Sequence, residues 1–203
     1  MRVFALCCAS FIHSVRRASG VEPLLSPPVS LPTFTPELLQ GYDFLYFKLH
    51  GLPGQPYWYG DRWLTTLSAK QLSQVDLQGA VVFVANCFLT ESPMLAALFD
   101  AGASVVVGGA GENYAAKRKV FGADLLGMTF RQLLQARMPP ALAFEAAKFR
   151  LSIPSRRDRF TRDTLDFRLY EPPSTQRRRD AEPPPSAPLR PRASALEKGA
   201  THD

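Results

Sequence analysis

Three stretches of the chain are apolar at almost every position, without the alternation that marks a strand exposed on one side. They cover residues 42–49, 80–86 and 103–108 and have the sequences YDFLYFKL, AVVFVAN and ASVVVG. Continuous apolar runs of this length are typical of strands covered by helices on both faces of a parallel sheet. We therefore expect the three stretches to be adjacent parallel strands.

Segments with helical signals lie between and after these strands. Ser68 and Gln71 form a capping box at the start of SAKQLSQV, in which two side chains satisfy free backbone N–H groups. The segment SPMLAALFDAG begins with Ser92 as cap and Pro93 at the first helical position. Three more helices and a last strand are predicted for TPELLQG, MTFRQLLQARM, ALAFEAAKFRL and TLDFRLYE. Strands that alternate with helices predict an α/β fold with a mostly parallel, helix-covered sheet.

The two ends of the chain differ from its middle. Residues 1–34 combine a candidate strand, RVFALCCA, with a segment rich in proline and serine that we expect to be a loop or linker. The beginning of this region also resembles a marginal signal peptide, which is the alternative to a strand. Residues 173–203 are rich in proline and arginine and have almost no large apolar side chains, which predicts a disordered tail. Residues 35–172 then form the main domain.

Charge and cysteine content limit the classes of function. The net charge of +6 over 203 residues is a mild excess, and without a motif it does not indicate nucleic-acid binding. No apolar run approaches the roughly 20 residues of a membrane-spanning helix, so we expect no membrane partner. The three cysteines form no CxxC metal motif, and their number favours a reducing, cytoplasmic compartment.

The chemically informative residues stand directly after two of the predicted strands. His50 follows the first strand and Cys87 follows the second. Neighbouring parallel strands end at the same edge of the sheet, about 4.8 Å apart, so the two side chains could approach each other across a cleft. A histidine near a cysteine favours the thiolate and transfers protons, as a cysteine nucleophile requires. The backbone N–H groups of Gly51 and Cys87 are candidates for an oxyanion hole. The simpler interpretation of Cys87 is a buried packing residue.

The order of these pieces resembles the caspase-like cysteine peptidases of clan CD, in particular the bacterial CHAT domains. The matching pieces are YFKLHG, LSAKQLSQVDLQGAVVFVANC, LAALFDAGASVVVG, ALAFEAAKFRL and FRLYEPP. The resemblance implies a caspase-like three-layer αβα sandwich that hydrolyses peptide bonds through a thioester, without metal or organic cofactor. It implies His50 as the base or orienting residue, Cys87 as the nucleophile, and a protein or peptide as substrate. Because members of the family often act under the control of a sensor, a regulatory protein partner is a further expectation.

Three features of the chain depart from that family. The loop after the cysteine is CFLT, where an acidic residue and a glycine often follow. Asn86 precedes the cysteine, where a small residue is usual, and the N-terminal part is short and rich in proline. These differences favour a second hypothesis, an inactive caspase-like module that binds peptides or protein partners.

Polar residues in two loops are candidates for a substrate pocket. Asp61 lies in the loop after His50, and Glu112 and Asn113 lie in the loop after the third strand. A carboxylate there would pair with a basic substrate side chain, while the alternative for each residue is a solvated loop.

The segment VVVGGAGENYAAKR also carries glycines between a strand and a possible helix, which is a weak signal for nucleotide binding and defines a third hypothesis. For the aromatic residues of PYWYGDRW we expect one of two roles: they line a peptide-binding cleft, or they cover the edge of the core.

Overall fold

The computed structural model of the chain describes residues 1–113, 116–152 and 166–173. The strands are Val3–Cys8 (β1), Leu24–Ser26 (β2), Phe44–Lys48 (β3), His50–Gly51 (β4), Tyr57–Tyr59 (β5), Thr65–Ser68 (β6), Val81–Val84 (β7), Val105–Gly108 (β8) and Arg168–Tyr170 (β9). The α-helices are Ile12–Ser19 (α1), Ala69–Leu72 (α2), Met94–Asp100 (α3), Ala123–Gln135 (α4) and Pro140–Ser152 (α5). Short 3-10 helices cover Ala9–Phe11, Pro36–Leu39, Asp61–Trp63 and Leu89–Glu91.

The central sheet of the described residues has the strand order β2-β1-β3-β7-β8-β9. All neighbouring strands are parallel except β9, which runs antiparallel to β8. Phe44 pairs with Val81, and Val81 pairs in turn with Val105, so the prediction of three adjacent parallel strands is confirmed. The N-terminal strand β1 lies inside the sheet, where Cys7 pairs with Lys48, and the next residue of β1 therefore reaches the edge at which β3 ends.

The chain leaves the central sheet directly after β3. β4 pairs antiparallel with β5, and β5 pairs with β6, so that among the described residues these strands form a second, three-stranded sheet. The prediction of a loop was therefore wrong for Tyr57–Tyr59. The reason is the alternation of its side chains, because Trp58 is fully buried against Phe47 while the tyrosines on either side are partly exposed.

Helices cover both faces of the central sheet. α2 and α3 pack on one face, where Val82 and Leu98 belong to the same apolar cluster. α1, α4 and α5 pack on the other face, where Phe83 and Phe130 belong to a second cluster. Val82 and Phe83 are consecutive, and they face opposite layers because side chains alternate along a strand. The result is the three-layer αβα sandwich that the sequence predicted.

The helix starts differ in how well the sequence predicted them. The capping box is confirmed, because the Gln71 N–H donates to Ser68 Oγ and the Ser68 N–H donates to Gln71 Oε1, both at 3.1 Å. α4 begins at Ala123, earlier than the predicted start near Met128, because Ala123 and Leu126 extend its buried face.

The predicted tail, residues 173–203, lies outside the described residues apart from Pro173. No helix in the described part of the chain combines the length and the apolar character needed to cross a membrane.

A buried ion pair joins the layers just below the end of β3. Lys48 pairs with Asp124 of α4, and both side chains are almost fully buried. The Tyr46 hydroxyl donates to Asp124 at 2.7 Å, and Lys48 Nζ donates to Ser14 Oγ at 3.1 Å. Lys48 Nζ also lies 4.6 Å from the ring centroid of Phe11. These contacts satisfy two buried charges that would otherwise be costly, and they fix α1 and α4 to the strand that leads to His50.

Candidate active site

The stretches that follow β3 and β7 meet at one corner of the central sheet. Gly51 lies so close to Cys87 that a Cβ atom on Gly51 would stand 2.2 Å from the carbonyl oxygen of Cys87. Because Cβ atoms essentially never come this close to backbone, position 51 requires glycine for space. The two N–H groups predicted for the oxyanion hole therefore belong to neighbouring stretches of backbone.

Asn86 connects the ends of these two strands. Its side chain is fully buried, and its Oδ1 accepts a hydrogen bond from the Leu49 N–H at 2.7 Å. Leu49 stands between β3 and β4, where the ladder of the central sheet stops, so the asparagine replaces a backbone acceptor there. A small residue, which is usual here in the family that the sequence resembles, could not make this contact.

The Cys87 thiol is partly buried and faces the loop after β8. The Asn113 N–H donates to Cys87 Sγ at 3.2 Å, and Sγ lies 3.7 Å from the Asn113 carbonyl oxygen. Burial raises the pKa of Cys87, the Asn113 N–H lowers it in part, and the negative charge of Glu112 raises it further. The protonated thiol is therefore the resting form at neutral pH, and a base is needed to generate a nucleophile.

The two polar residues predicted for a pocket in this loop have different environments. Asn113 is 9% exposed, and its Nδ2 donates to the carbonyl oxygen of Ala85 at 2.7 Å. Its side chain therefore points toward the end of β7, and Asn113 holds the Cys87 thiol through its backbone. Glu112 is exposed, and its charge acts on Cys87. The roles of both residues in a substrate pocket stay predictions.

The loop after the candidate nucleophile is held by the glycine-rich segment. The Phe88 N–H donates to Gly111 O at 3.0 Å, and the Leu89 N–H donates to Gly109 O at 3.1 Å. Phe88 has a φ of 55°, which is strained for a bulky side chain and is found most often at functional sites. The glycine-rich segment does not open a helix, since α4 begins only at Ala123. The helix-start phosphate cradle that the nucleotide-binding hypothesis uses is therefore not formed by this segment.

The His50 imidazole lies between aromatic rings and polar atoms. Its ring centroid is 6.1 Å from that of Phe11 and 5.0 Å from that of Trp63, whose side chain is 58% exposed. A ring nitrogen of His50, Cys8 Sγ and a carboxylate oxygen of Asp61 lie within 4.8 Å of one another. Burial lowers the pKa of His50, and the charge of Asp61 raises it in part. The net lowering leaves the imidazole neutral at pH 7 and able to accept a proton.

Asp61 is fixed in place beside His50. Its Oδ2 accepts a hydrogen bond from the Ser10 N–H at 2.7 Å, and its Oδ1 accepts one from Ser10 Oγ at 2.6 Å. The next two residues, Arg62 and Trp63, have φ values of 58° and 60°. The segment that carries Asp61 therefore has left-handed backbone at two consecutive residues. The pocket role of Asp61 stays a prediction, and Ser10 holds its carboxylate within 4.8 Å of a ring nitrogen of His50.

The predicted residues therefore fall into two groups along one edge. Cys87 lies with Glu112 and Asn113, and His50 lies with Asp61. The backbone contact between Gly51 and Cys87 joins the groups, and the dyad itself stays a prediction.

Sequence reasoning did not find Cys8 and Ser10 as members of the site. The available signal was positional, since Cys8 ends a strand, as His50 and Cys87 were expected to do. The segment RVFALCCA was interpreted as a candidate strand of the core or as signal-like, so Cys8 was not recognised as a residue at the end of a strand.

Comparison with known proteins supports the fold. No family model matches the chain, and neither does any curated protein. The structure of the complex of Porphyromonas gingivalis RgpB pro- and mature domains matches with a TM-score of 0.60 at 11% identity, over 85% of this chain and 47% of that chain. The crystal structure of the Arg specific cysteine proteinase gingipain R (RgpB) matches with a TM-score of 0.54 at 12% identity, over 84% of this chain and 46% of that chain. The chain thus spans about half the length of the structures that it matches.

At this level of identity the likeness defines the fold. The chain has the caspase-like α/β fold that the sequence predicted, and it shares that fold with cysteine proteinases. The narrower assignment to CHAT domains stays a prediction.

Proposed function

We propose that the chain is a cysteine peptidase in which Cys87 is the nucleophile and His50 is the general base. The observation that carries this proposal is the contact between Gly51 and Cys87, which joins the two strand ends at one corner of a caspase-like sheet. A neutral imidazole and a partly exposed thiol on either side of that contact suit the reaction. Left-handed backbone at Phe88, directly after Cys87, adds support, because strain of this kind concentrates at functional sites.

In the proposed reaction His50 accepts the Cys87 proton as the sulfur attacks the carbonyl carbon of the scissile bond. The N–H groups of Gly51 and Cys87 stabilise the negative charge that forms on the carbonyl oxygen. His50 then donates the proton to the leaving amine, the C–N bond breaks, and a thioester remains on Cys87. Water, deprotonated by His50, hydrolyses the thioester and restores the thiol. Asp61 acts as a positioning residue that orients the imidazole.

We propose a protein or peptide substrate with a basic residue before the scissile bond. Glu112 supports this choice, because an exposed carboxylate close to Cys87 can form a charge-assisted pair with arginine or lysine. One of the similar structures is by name an Arg specific cysteine proteinase. The other is a complex of pro- and mature domains, which supports a regulatory protein partner for this chain.

Labelling with thiol-reactive peptide electrophiles tests the proposal. A series with arginine, lysine, leucine or aspartate at the cleavage position is incubated with the full chain, and adducts are located by peptide mass spectrometry. We expect fastest modification of Cys87 by the arginine and lysine probes, and none in Cys87→Ala. Glu112→Gln should reduce the preference for arginine over leucine by about tenfold, as expected for the loss of one charged hydrogen bond. Modification of Cys87 only after denaturation would contradict the proposal.

A peptide-binding module without activity is the second candidate function. It is favoured by the environment of Cys87, whose pKa is raised by burial and whose sulfur contacts both backbone polar groups of Asn113. This alternative predicts that basic peptides bind equally well to the chain and to Cys87→Ser, with neither adduct nor cleavage. Calorimetric titration of both proteins with the same peptides, beside the labelling, separates the two functions.

A further inference from the structure

We propose that Cys8, His50 and Asp61 form a binding site for a divalent cation of the zinc type, and that the bound ion switches off peptide cleavage. One donor atom from each residue takes part: a sulfur, an imidazole nitrogen and a carboxylate oxygen. All three atoms lie within 4.8 Å of one another. The donors come from β1, from β4 and from the 3-10 helix after β5, so the fold itself brings them together.

The spacing of the three donors is close to what a tetrahedral ion requires. Zinc binds sulfur at about 2.3 Å and nitrogen or oxygen at about 2.0–2.2 Å, which places two donors of one shell about 3.5 Å apart. From the observed limit of 4.8 Å, each pair of donors has to approach by at most about 1.3 Å. Rotation of the partly exposed His50 and Asp61 side chains supplies movements of this size.

One of the donors already has outer partners that fix it. Both oxygens of Asp61 accept hydrogen bonds from Ser10, one from its N–H and one from its hydroxyl. Cys8 Sγ lies 3.6 Å from the carbonyl oxygen of Tyr59, to which the thiol donates, and metal binding releases the proton of this contact. Hydrogen bonds that orient the ligands are a general feature of metal sites in proteins and contribute measurably to their affinity.

The mixture of donors selects the class of ion. Thiolate and imidazole favour zinc and related transition-metal ions, whereas calcium and magnesium prefer sites made of oxygen alone. Three protein ligands leave a fourth position for water. Cys8 is fully buried, whereas His50 and Asp61 are partly exposed, so the ion enters from the side of the imidazole and the carboxylate.

The switch follows from the ring nitrogen that the ion occupies, and this half of the proposal rests on the proposed function. On binding, the S–H bond of Cys8 breaks, a bond from sulfur to the metal forms, and the proton passes to solvent. The lone pair of His50 is then bound to the metal and no longer accepts the proton of Cys87. Cys87 stays a neutral thiol, and its sulfur does not attack the peptide bond.

Metal binding by the full chain tests the site without any assay of activity. Competition with a chromophoric chelator measures the affinity for Zn²⁺, and Co²⁺ reports a thiolate ligand through its charge-transfer absorption. We expect one equivalent of metal and a thiolate band. Ser10→Ala should weaken binding by about tenfold and Cys8→Ala by more than that, because outer partners contribute about 10–100-fold and ligands more. Cys7→Ala is the matched control, since Cys7 lies in the same strand, is equally buried and faces the other layer.

The outcomes decide between a site at Cys8 and other positions of the ion. Absence of binding overturns the proposal, and so does binding that is lost in Cys87→Ala but kept in Cys8→Ala. Asp61→Asn removes a partly exposed ligand and keeps the test decisive if Cys8→Ala fails to fold by circular dichroism.

The switch has its own measurement, in which each protein is compared with its own cleavage rate in chelator. We expect Zn²⁺ to inhibit the natural chain and Cys7→Ala, and to lose potency in Cys8→Ala by the factor measured for binding. Inhibition that is equal in Cys8→Ala overturns the switch. If no protein cleaves peptides, the proposed function fails, and the binding measurements still decide whether the metal site exists.

Discussion

Cys87 and Cys8 stand at the same edge of the central sheet, yet their surroundings are opposite. Cys87 is partly exposed, and its sulfur accepts a hydrogen bond from the Asn113 N–H. Cys8 is fully buried, and its thiol donates to the carbonyl oxygen of Tyr59. Burial raises the pKa of both thiols, and for Cys8, with a further contribution from the charge of Asp61, it raises the pKa to about 12.

The two thiols are therefore suited to different chemistry. A partly exposed sulfur that receives a hydrogen bond suits covalent attack on a substrate. A buried thiol with a raised pKa is inert toward substrate, and it becomes a metal ligand only by releasing its proton. A ring nitrogen of His50 lies within 4.8 Å of Cys8 Sγ, and the next residue, Gly51, meets the backbone of Cys87, so the role of each thiol decides what the imidazole does. The predictions below test that assignment.

The largest effect is expected for Cys87→Ala. Loss of the nucleophile should lower the cleavage of an arginine-containing peptide by about 10⁴-fold or more, because the residues of a catalytic unit are each essential. Cys87→Ala also removes the acceptor of the Asn113 N–H, so we expect the protein to fold and to lose about 1 kcal/mol or more of stability. Cys7→Ala, the control, should keep its cleavage rate and lose on the order of 1 kcal/mol of stability to the cavity. Retained cleavage in Cys87→Ala, with loss in Cys8→Ala, would reverse the two roles.

His50→Ala should lower cleavage almost as strongly as the change at Cys87. Thiol and imidazole act as a unit, so the double variant His50→Ala/Cys87→Ala should be little slower than either single variant. The measurement is a double-mutant cycle of kcat/KM values. Losses that simply add would show that the two side chains work independently.

Gly51→Ala tests the contact between the backbone that follows β3 and the backbone that follows β7. A methyl group at this position meets the carbonyl oxygen of Cys87 at 2.2 Å, so we expect a loss of about 1–3 kcal/mol from overpacking. Denaturant titration measures it. Gly111→Ala is the matched control, because nothing lies within 4 Å of its added Cβ and its φ is not left-handed. Equal stabilities for the two variants would mean that the contact at Gly51 is looser than described.

Asn86→Ala should have a smaller net effect on stability, because the change also removes Asn86 Nδ2, a buried group that has no hydrogen-bond partner among the described residues. It removes the acceptor of the Leu49 N–H, which leaves a buried donor unsatisfied at a cost of about 1–3 kcal/mol. Gln74→Ala, which removes an exposed amide, should stay within about 0.5 kcal/mol of the natural chain. Thermal unfolding of both variants measures the difference, and an unchanged melting temperature for Asn86→Ala would contradict the link between the strand ends.

Several parts of this architecture were accessible from the sequence. The three central strands are buried on both faces, and burial on both faces demands apolar residues at consecutive positions, which is a readable pattern. The positions of His50 and Cys87 followed from the same pattern, since each comes after such a run. The capping box at Ser68 was accessible because its hydrogen bonds are local.

The contacts around the site were not accessible, because they depend on pairing between distant segments. The chain turns away from the sheet after Leu49 and pairs with β5, and this turn decides where the His50 ring lies. Cys8 approaches that ring from a strand far away in the sequence, and Asp61 approaches it because the chain folds back through β5. The alternating burial around Trp58 was a local signal for β5, and its brevity made it resemble a loop.

The smallest effect, and the most direct comparison of the thiols, is their rate of reaction with iodoacetamide in the folded chain. Cys87 should react about tenfold or more faster than Cys7 and Cys8, because the buried thiols react only when the structure opens locally. Since burial raises the pKa of Cys87, its thiolate fraction is small at neutral pH, and its rate should keep rising as the pH is raised above 8. Mass spectrometry of timed samples gives each rate separately. A Cys87 rate that is already at its plateau at neutral pH would instead indicate a resting thiolate paired with imidazolium. Equal, slow modification of all three cysteines would show that Cys87 is no more reactive than the buried thiols, and it would favour the inactive binding module.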